Sequence, residues 1–346
     1  MRLGDICTIK YGKDHKKLND GDIPLYGSGG VMRHVEKALW SKPSVLIPRK
    51  GTLGNLFFVN KPFWTVDTCF WTDIDEEQVL PEYLFYQLKT KDLASLNVGT
   101  AVPSLTTDVL NEVQIDLPSL EKQKQVVEML GSLDSKIEIN TQLNGYLLEL
   151  ASTIFKTWFM NDDARYSTNK VAISEIAVIN AGGDKPNVCQ KTPSNKCPVP
   201  VYSNGTDNEG LYGYTSMAKV TEPSVTVSAR GTIGFTCLRH QPYYPIVRLI
   251  SATPKEGITV EYLYLWLRNK MITGVGTTQQ QLTVPMFKKY EIDVPSARNL
   301  TKFTEIVRPL FNAIAANKTE NTELVELRNA LLPKLMSGEI DVSKID

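Results

Sequence analysis

The sequence predicts an α+β chain in which two similar mixed α/β globular domains are joined by two long helices that pair as an antiparallel coiled coil. Three observations carry that expectation. Between Leu120 and Phe159, apolar or small residues recur at Val126, Leu130, Leu133, Ile137, Asn140, Asn144, Leu147, Ala151, Ile154 and Trp158. The steps alternate four and three, as on the a/d seam of a coiled coil and unlike the broader stripe of a helix lying on a globule. Adding 177 to each number gives Phe303, Val307, Leu310, Ile314, Asn317, Asn321, Leu324, Arg328, Leu331 and Leu335, so the seam returns near the C-terminus. Finally, the segments before each seam repeat one another in order.

Taken along the chain, Pro24-Leu25-Tyr26-Gly27-Ser28-Gly29 answers to Pro200-Val201-Tyr202-Ser203-Asn204-Gly205. Pro43-Ser44-Val45 with Arg49-Lys50-Gly51-Thr52-Leu53-Gly54 answers to Pro223-Ser224-Val225 with Ala229-Arg230-Gly231-Thr232-Ile233-Gly234. Glu82-Tyr83-Leu84 matches Glu261-Tyr262-Leu263, and Gly99-Thr100 with Leu105-Thr106 matches Gly276-Thr277 with Leu282-Thr283. Ile115-Asp116-Leu117-Pro118-Ser119 matches Ile292-Asp293-Val294-Pro295-Ser296, after which each long helix begins. This is a tandem duplication with small insertions. It divides the chain into a first globule at 1–118, a first long helix at 119–160, a second globule at 161–295 and a second long helix at 296–340.

Within the globules, short strands are expected at 44–48 and 57–60 and again at 224–229 and 235–238, each pair flanking a glycine turn. Amphipathic helices are expected at 81–90 and 260–270, and closing strands at 113–117 and 290–294. The polar stretch 161–170 reads as a linker, and the tail after Gly338 as loose. Pro118 precedes the first long helix, with Ser119 as its N-cap. Glu121, Lys122, Lys124, Glu128, Glu138 and Glu149 fall off the seam. The seam asparagines are expected to bond one another across the helix pair, sacrificing some stability to fix the register. Their equal spacing would match in a parallel pair too, so they do not set the direction by themselves. Arg328, standing where the first copy has Ala151, is a defect in the repeat that the sequence leaves unexplained.

Composition narrows the function classes. The 346 residues allow two or three domains. There are 38 basic and 38 acidic residues, for a formal net charge of zero, so no bulk basic character announces a nucleic acid. Five cysteines (Cys7, Cys69, Cys189, Cys197, Cys237) make no C-x-x-C, and His15, His34 and His240 add no zinc spacing. No metal site or disulfide framework is expected, and a reducing cytoplasm suits the thiols. No apolar signal core opens the chain, and no run approaches the ~18 apolar residues of a membrane span. An Asn-Pro-Pro-aromatic tetrapeptide, a glycine-rich nucleotide fingerprint and a P-loop are all missing, and no carboxylate–lysine or histidine–nucleophile grouping suggests catalysis.

The ordered set of motifs resembles a known family. Two variable globules with the R/K-G-T-h-G turn, the Gly-Thr…Leu-Thr segment, the helix start at 118–128 (PSLEKQKQVVE) and the closing Leu331-Leu332-Pro333-Lys334-Leu335-Met336-Ser337-Gly338-Glu339-Ile340 are similar to the specificity subunit of type I restriction–modification enzymes. The resemblance covers essentially the whole chain. The second helix start departs from it, reading Ala297-Arg298-Asn299-Leu300-Thr301-Lys302. The resemblance implies a non-catalytic reader of double-stranded DNA. Each globule would be a target recognition domain for one half of a split, asymmetric site, and the helices would set the spacing. Two methyltransferase subunits would dock and methylate adenine, with restriction and translocase subunits joining for cleavage. No cofactor is implied on this chain; S-adenosylmethionine, ATP and Mg would sit on the partners, in a prokaryotic cytoplasm. Forty-odd helical residues reach ~60 Å at ~1.5 Å each, against about 34 Å per DNA turn. An antiparallel pair supplies a pseudo-twofold axis like that of duplex DNA.

Candidate DNA contacts follow from side-chain chemistry. The turn with Arg49, Lys50 and Thr52, and its twin with Arg230 and Thr232, offer cations, hydroxyls and backbone N–H groups suited to phosphate oxygens; the same turns could equally be tight hairpins kept for folding. Thr277, Thr278, Gln279 and Gln280 could pair with base edges, and the first copy offers Thr100 and Ser104 there. Lys13, Lys16 and Lys17, beside His15, form a basic cluster. Ser28 and Asn204 lie in matching glycine-rich turns. Trp40, Trp64, Phe70 and Trp71 read as core. A rival expectation is a structural adaptor with two ligand-binding globules and no nucleic acid, which zero net charge favours.

Overall fold

The structure, a computed structural model, describes residues 1–99, 102–160, 168–270, 272 and 281–341. It divides into two units, Met1–Ile139 with Glu320–Asp346 and Asn140–Thr319. The division falls inside the long helices, so each unit holds one globular domain and half of each helix.

In the first unit the order is α1 (Leu3–Ile6), β1 (Cys7–Tyr11), β2 (Ile23–Gly27), β3 (Gly30–Val35), β4 (Ser44–Pro48), β5 (Phe57–Val59), β6 (Trp64–Thr65), β7 (Cys69–Ile74), α2 (Pro81–Lys89), α3 (Thr107–Asn111) and the start of α4 (Leu120–Phe159). An antiparallel sheet runs β1-β7-β4-β5, and a smaller one runs β3-β2-β6 with β2 and β6 parallel. Every residue of β4 is buried. Because side chains alternate along a strand, Val45 and Ile47 join the core under α2, while Leu46 joins Val59, Phe63 and Trp71 on the opposite face. The polar members are paired: the Ser44 hydroxyl donates to the Thr72 carbonyl at 2.8 Å, and the Val45 N–H donates to the Thr72 hydroxyl at 2.9 Å. Helix α2 starts at Pro81, whose fixed φ suits the first turn, and carries Glu82 at its beginning and Lys89 at its end, as the helix dipole favours.

The second unit repeats the plan. After β8 (Thr168–Ala172) and α5 (Ile173–Ile176) come β9 (Ala177–Ala181), β10 (Val199–Tyr202), β11 (Leu211–Thr215), β12 (Ser224–Val227), β13 (Thr236–Arg239), β14 (Tyr244–Pro245), β15 (Ile250–Pro254), α6 (Val260–Asn269), α7 (Val284–Phe287), β16 (Glu291–Pro295) and the start of α8 (Ala297–Met336). Its sheets run β13-β12-β15-β9 and β11-β10-β14, strand for strand the order of the first unit. The duplication read in the sequence is therefore a duplication of topology.

Two expectations are corrected. Segment 113–117 is not a strand. Only the bridge Arg2–Gln114 forms, flanked by Leu3 N–H to the Val113 carbonyl and Ile115 N–H to the Met1 carbonyl, both 2.8 Å. The residues facing it, Met1 to Leu3, make no ladder beyond that bridge, whereas β16 in the second unit pairs with the five residues of β8. For the same reason part of the expected linker 161–170 belongs to β8; residues 161–167 lie outside the described residues.

Both long helices are 40 residues, and within each unit they run antiparallel. In the first unit Val126 and Leu130, near the start of α4, pack with Leu332, Leu335 and Met336 at the end of α8. In the second, Ala151 and Phe155 pack with Leu300, Phe303, Val307 and Phe311. Of the expected seam positions, Leu130, Asn140 and Val307 are buried, and Leu133, Ile137, Asn144, Leu147, Ile154, Leu310, Ile314, Asn317, Asn321, Leu324 and Leu331 are half-buried. The buried stripe is broader than an a/d seam. Phe155, Leu300, Phe311, Leu332 and Met336 are buried off the seam, because the helix ends also pack onto the globular cores and so need the broader stripe. Asn317 Nδ2 donates to Asn144 Oδ1 at 2.8 Å, and Asn321 Nδ2 donates to the Ile137 carbonyl at 3.2 Å.

The helix starts explain the departure noted between the copies. Gln123 is fully buried, accepts from the Leu80 N–H at 2.9 Å and donates to the carbonyls of Gln78 and Pro118 at 3.1 and 2.9 Å. Leu300 occupies the same place in the second copy, buried and apolar. Polar anchoring in one unit is replaced by apolar packing in the other.

Candidate nucleic-acid interface

In the first domain three loops that the sequence singles out separately come together. The turn after β4 lies beside the 97–104 loop: the Gly51 N–H donates to the Pro103 carbonyl at 3.3 Å, the Leu105 N–H to the Arg49 carbonyl at 2.9 Å, and Lys50 bridges Ser104. Gly51 has φ +90, and a β-carbon there would stand 3.5 Å from the Ser28 hydroxyl, so the β2–β3 turn closes the same cluster. Asn55 secures it by donating to the Ser28 carbonyl at 3.0 Å. Asn97 shapes the third loop, its Oδ1 accepting from both Gly99 and Ser104 N–H at 2.8 Å. Lys50 and Thr52 are exposed, and Ser28 and Ser104 are half-buried. Arg49 is held down: its guanidinium donates to the Asp67 carbonyl at 3.2 Å and lies 5.3 Å from the Tyr11 ring centroid. Thr100 lies outside the described residues.

Lys13 adjoins this edge. Its N–H donates to the Thr65 carbonyl at 2.9 Å and its carbonyl accepts from Trp64 Nε1 at 3.1 Å, while the Arg49 N–H reaches Thr68 at the far end of the same β6–β7 turn. Lys13, Lys16 and Lys17 are exposed. The Asp14 carboxylate is held below its usual range chiefly by the Lys16 N–H. Trp64, Phe70 and Trp71 are buried, and Trp40 stacks against Trp71 at 4.6 Å, so the aromatics are core.

The second domain builds the same cluster with other side chains. The Leu282 N–H donates to the Ala229 carbonyl at 2.9 Å, matching Leu105 and Arg49, and Arg230 Nη2 reaches Gln281 Oε1 at 3.3 Å. Arg230 and Thr232 are exposed. Asn204 is engaged within the fold at both ends of its amide: Oδ1 accepts from the Ala229 N–H at 2.7 Å, and Nδ2 donates to the Val247 carbonyl at 2.6 Å. Thr277, Thr278, Gln279 and Gln280 lie outside the described residues.

Sequence reasoning passed over a basic cleft in this domain. Lys219 sits 4.4 Å from the Tyr244 ring centroid, and Lys185 and Lys191 lie 5.2 and 5.0 Å from that of Tyr212. The cleft, about 400 Å³, is lined by Asp184, Lys185, Asn187, Met217, Lys219 and Tyr244 among others. Its two lysines, Lys185 and Lys219, come from separate segments, so no charge run marks them. The available signal was the repeat itself: Gly12 and Gly182 make equivalent N–H bonds, to Cys69 and Leu249 at 3.0 and 2.8 Å, which aligns Asp184-Lys185 with Asp14-His15. Among the described residues no group of His, Cys, Asp and Glu is arranged to hold a metal, and no helix is long and apolar enough to cross a membrane.

The molecule is thus a duplicated α+β chain whose matching loop clusters carry unlike chemistry. The family model for the type I restriction modification DNA specificity domain matches residues 1–148 and 167–326. The chain is similar to the specificity subunit of the type I restriction enzyme HindI of Haemophilus influenzae, 26% identical over 358 residues, with 76% of this chain and 78% of that one covered. It is also similar to the MjaIX specificity subunit of Methanocaldococcus jannaschii, 25% identical with 95% and 89% covered. In fold it matches the crystal structure of the type I S subunit from M. genitalium at a TM-score of 0.62 and 16% identity, covering 97% and 95% of the two chains. The chain belongs to the family of type I restriction–modification specificity subunits, the non-catalytic DNA-recognition subunits of those systems.

Proposed function

We propose that this chain reads a bipartite, asymmetric site on double-stranded DNA, one half with each globular domain, and docks two methyltransferase subunits that modify adenine in each half. Restriction and translocase subunits would join for cleavage, and S-adenosylmethionine, ATP and Mg would belong to those partners, in a prokaryotic cytoplasm. The domains are those bounded by 1–118 and 161–295, and the two helices set the spacer between half-sites. The observation that carries the reading is the recurrence of one loop cluster on one topology with different side chains: Lys50, Ser28 and Ser104 in the first domain, and Arg230, Asn204 and Gln281 in the second. Shared backbone geometry suits the shared sugar–phosphate backbone, and unlike side chains suit unlike base sequences.

Partner docking is supported by α4. Leu143, Tyr146 and Leu150 are 42, 68 and 49% exposed, at helical spacing on one helix. Large apolar side chains exposed together mark protein contacts more often than solvent faces. Mapping methylated adenines genome-wide in cells with and without this chain tests the reading: loss of methylation at one split motif is expected. Unchanged methylation, together with duplex binding that does not fall as log salt rises, would leave the adaptor instead.

A further inference from the structure

We infer that the turn between β14 and β15 is a base-reading element of the second domain, with Arg248 discriminating a guanine in that domain's half-site. The inference rests on the DNA-reading function proposed above and names a residue for it.

Val247 and Arg248 are consecutive left-handed residues, with φ 53 and 65. Neither is glycine, and a β-branched valine in that conformation is a genuine outlier. The surroundings enforce it. The Val247 N–H donates to the Gly183 carbonyl at 2.8 Å, Arg248 N–H to Gly182 at 3.0 Å, and Leu249 N–H to Ile246 at 3.0 Å, while Asn204 grips the Val247 carbonyl. Burial does not account for the strain, since both side chains are exposed. Strain over-determined by its neighbours and unrelated to packing is characteristic of functional positions.

Two comparisons within the chain sharpen this. Asn208 and Glu209 form the other left-handed pair, with φ 46 and 54, and there the fold uses the side chain. Buried Arg239 lies 3.6 Å from the Tyr202 ring centroid and donates to Glu209 Oε2 at 3.3 Å, and Lys318 of α8 also bonds Glu209. Arg248 has no ion pair or side-chain hydrogen bond among the described residues. The first domain keeps the same turn, Cys69 N–H donating to the Val66 carbonyl at 3.0 Å, but its middle residues are Asp67 and Thr68, and neither is left-handed. A phosphate-gripping position would carry a cation in both copies, since the duplex backbone is the same under each. A carboxylate in one and a guanidinium in the other is the pattern of side chains that read different bases. The location agrees: Asn204 ties this turn to Ala229, next to Arg230.

An arginine fork matches the O6 and N7 acceptors of guanine in the major groove. The test uses the full chain copurified with its partner subunits, selection from a randomised duplex library, and methylation mapping in cells. Arg248→Ala is expected to lose roughly 5- to 150-fold of discrimination at one base pair of one half-site, with the other half-site unchanged as the internal control for folding. Arg248→Lys, which keeps the charge but not the fork, should not restore it. Val247→Gly, which relieves the strain and leaves the guanidinium, should blur the same base pair. Uniform weakening on all sequences with a salt slope smaller by about one would make Arg248 a phosphate contact and overturn the inference. Undiminished discrimination in Arg248→Ala and Val247→Gly would overturn it too. Failure of the wild-type complex to select any duplex would instead sink the DNA-reading function itself.

Discussion

Arg328 on α8 donates from Nη1 to Asp134 Oδ1 on α4 at 2.5 Å, and the Tyr86 hydroxyl of α2 donates to the other oxygen of the same carboxylate at 2.7 Å. The position that breaks the apolar seam is thus the cation of a three-element junction joining both helices to the first domain. Arg328 and Asp134 retain 18 and 32% side-chain exposure. Arg328→Ala would leave a partly buried carboxylate without its cation. It is expected to destabilise the chain by about 1–3 kcal/mol, below the range for a fully buried pair. Arg328→Leu combined with Asp134→Leu should recover most of that loss, as read by denaturant melts. A double variant no more stable than the single one would show that the pair is not the source.

The Asn144–Asn317 bond predicts a trade of stability against register. Asn144→Leu with Asn317→Leu replaces a paired amide by apolar contact, so the melting temperature should rise while the methylated half-sites become spaced less uniformly. A lowered melting temperature with a single unchanged spacer would rule this out.

Lys50 and Arg230 stand on equivalent exposed turns. Replacing either by alanine is expected to weaken duplex binding evenly across sequences and reduce the slope of log affinity against log salt by about one. An altered preferred sequence would show that the turn reads bases.

Alkaline pH should unfold the chain in a defined window. Burial pushes the phenols of Tyr243 and Tyr264 up to about 12, and raises Tyr83, Tyr86 and Tyr262 as well. Unfolded tyrosines titrate near pH ~10. With the folded pKa above the unfolded one, their stabilisation is complete below pH ~10 and is lost as the pH climbs towards the folded values. Absorbance titration of phenolate against far-ultraviolet circular dichroism should show the last tyrosines ionising together with loss of structure. Complete ionisation of a still-folded chain would contradict the burial.

The legible features were those that depend on neighbours in sequence. The seam could be read because helical periodicity is a local property, so Leu130, Asn144, Val307 and Asn317 declare their shared face by spacing alone. The glycine turns at Gly51 and Gly231 were legible because both take a positive φ that ordinary residues avoid. Asn97, Asn55 and Gln123 were not, since an isolated amide carries no sign of the carbonyls and N–H groups it will meet. Lys185 and Lys219 were missed for the same reason: their cleft exists only once separate segments are folded together.

By itself, then, the order of residues determined the duplication, the pairing of two long helices and the family, all written in repeats and periods along the chain. Only the tertiary structure decided that the helices run antiparallel within each unit, that Arg328 answers Asp134, and that Asn204 holds a strained turn under Arg248. Those facts depend on distances between residues far apart in sequence, and no local period encodes such a distance.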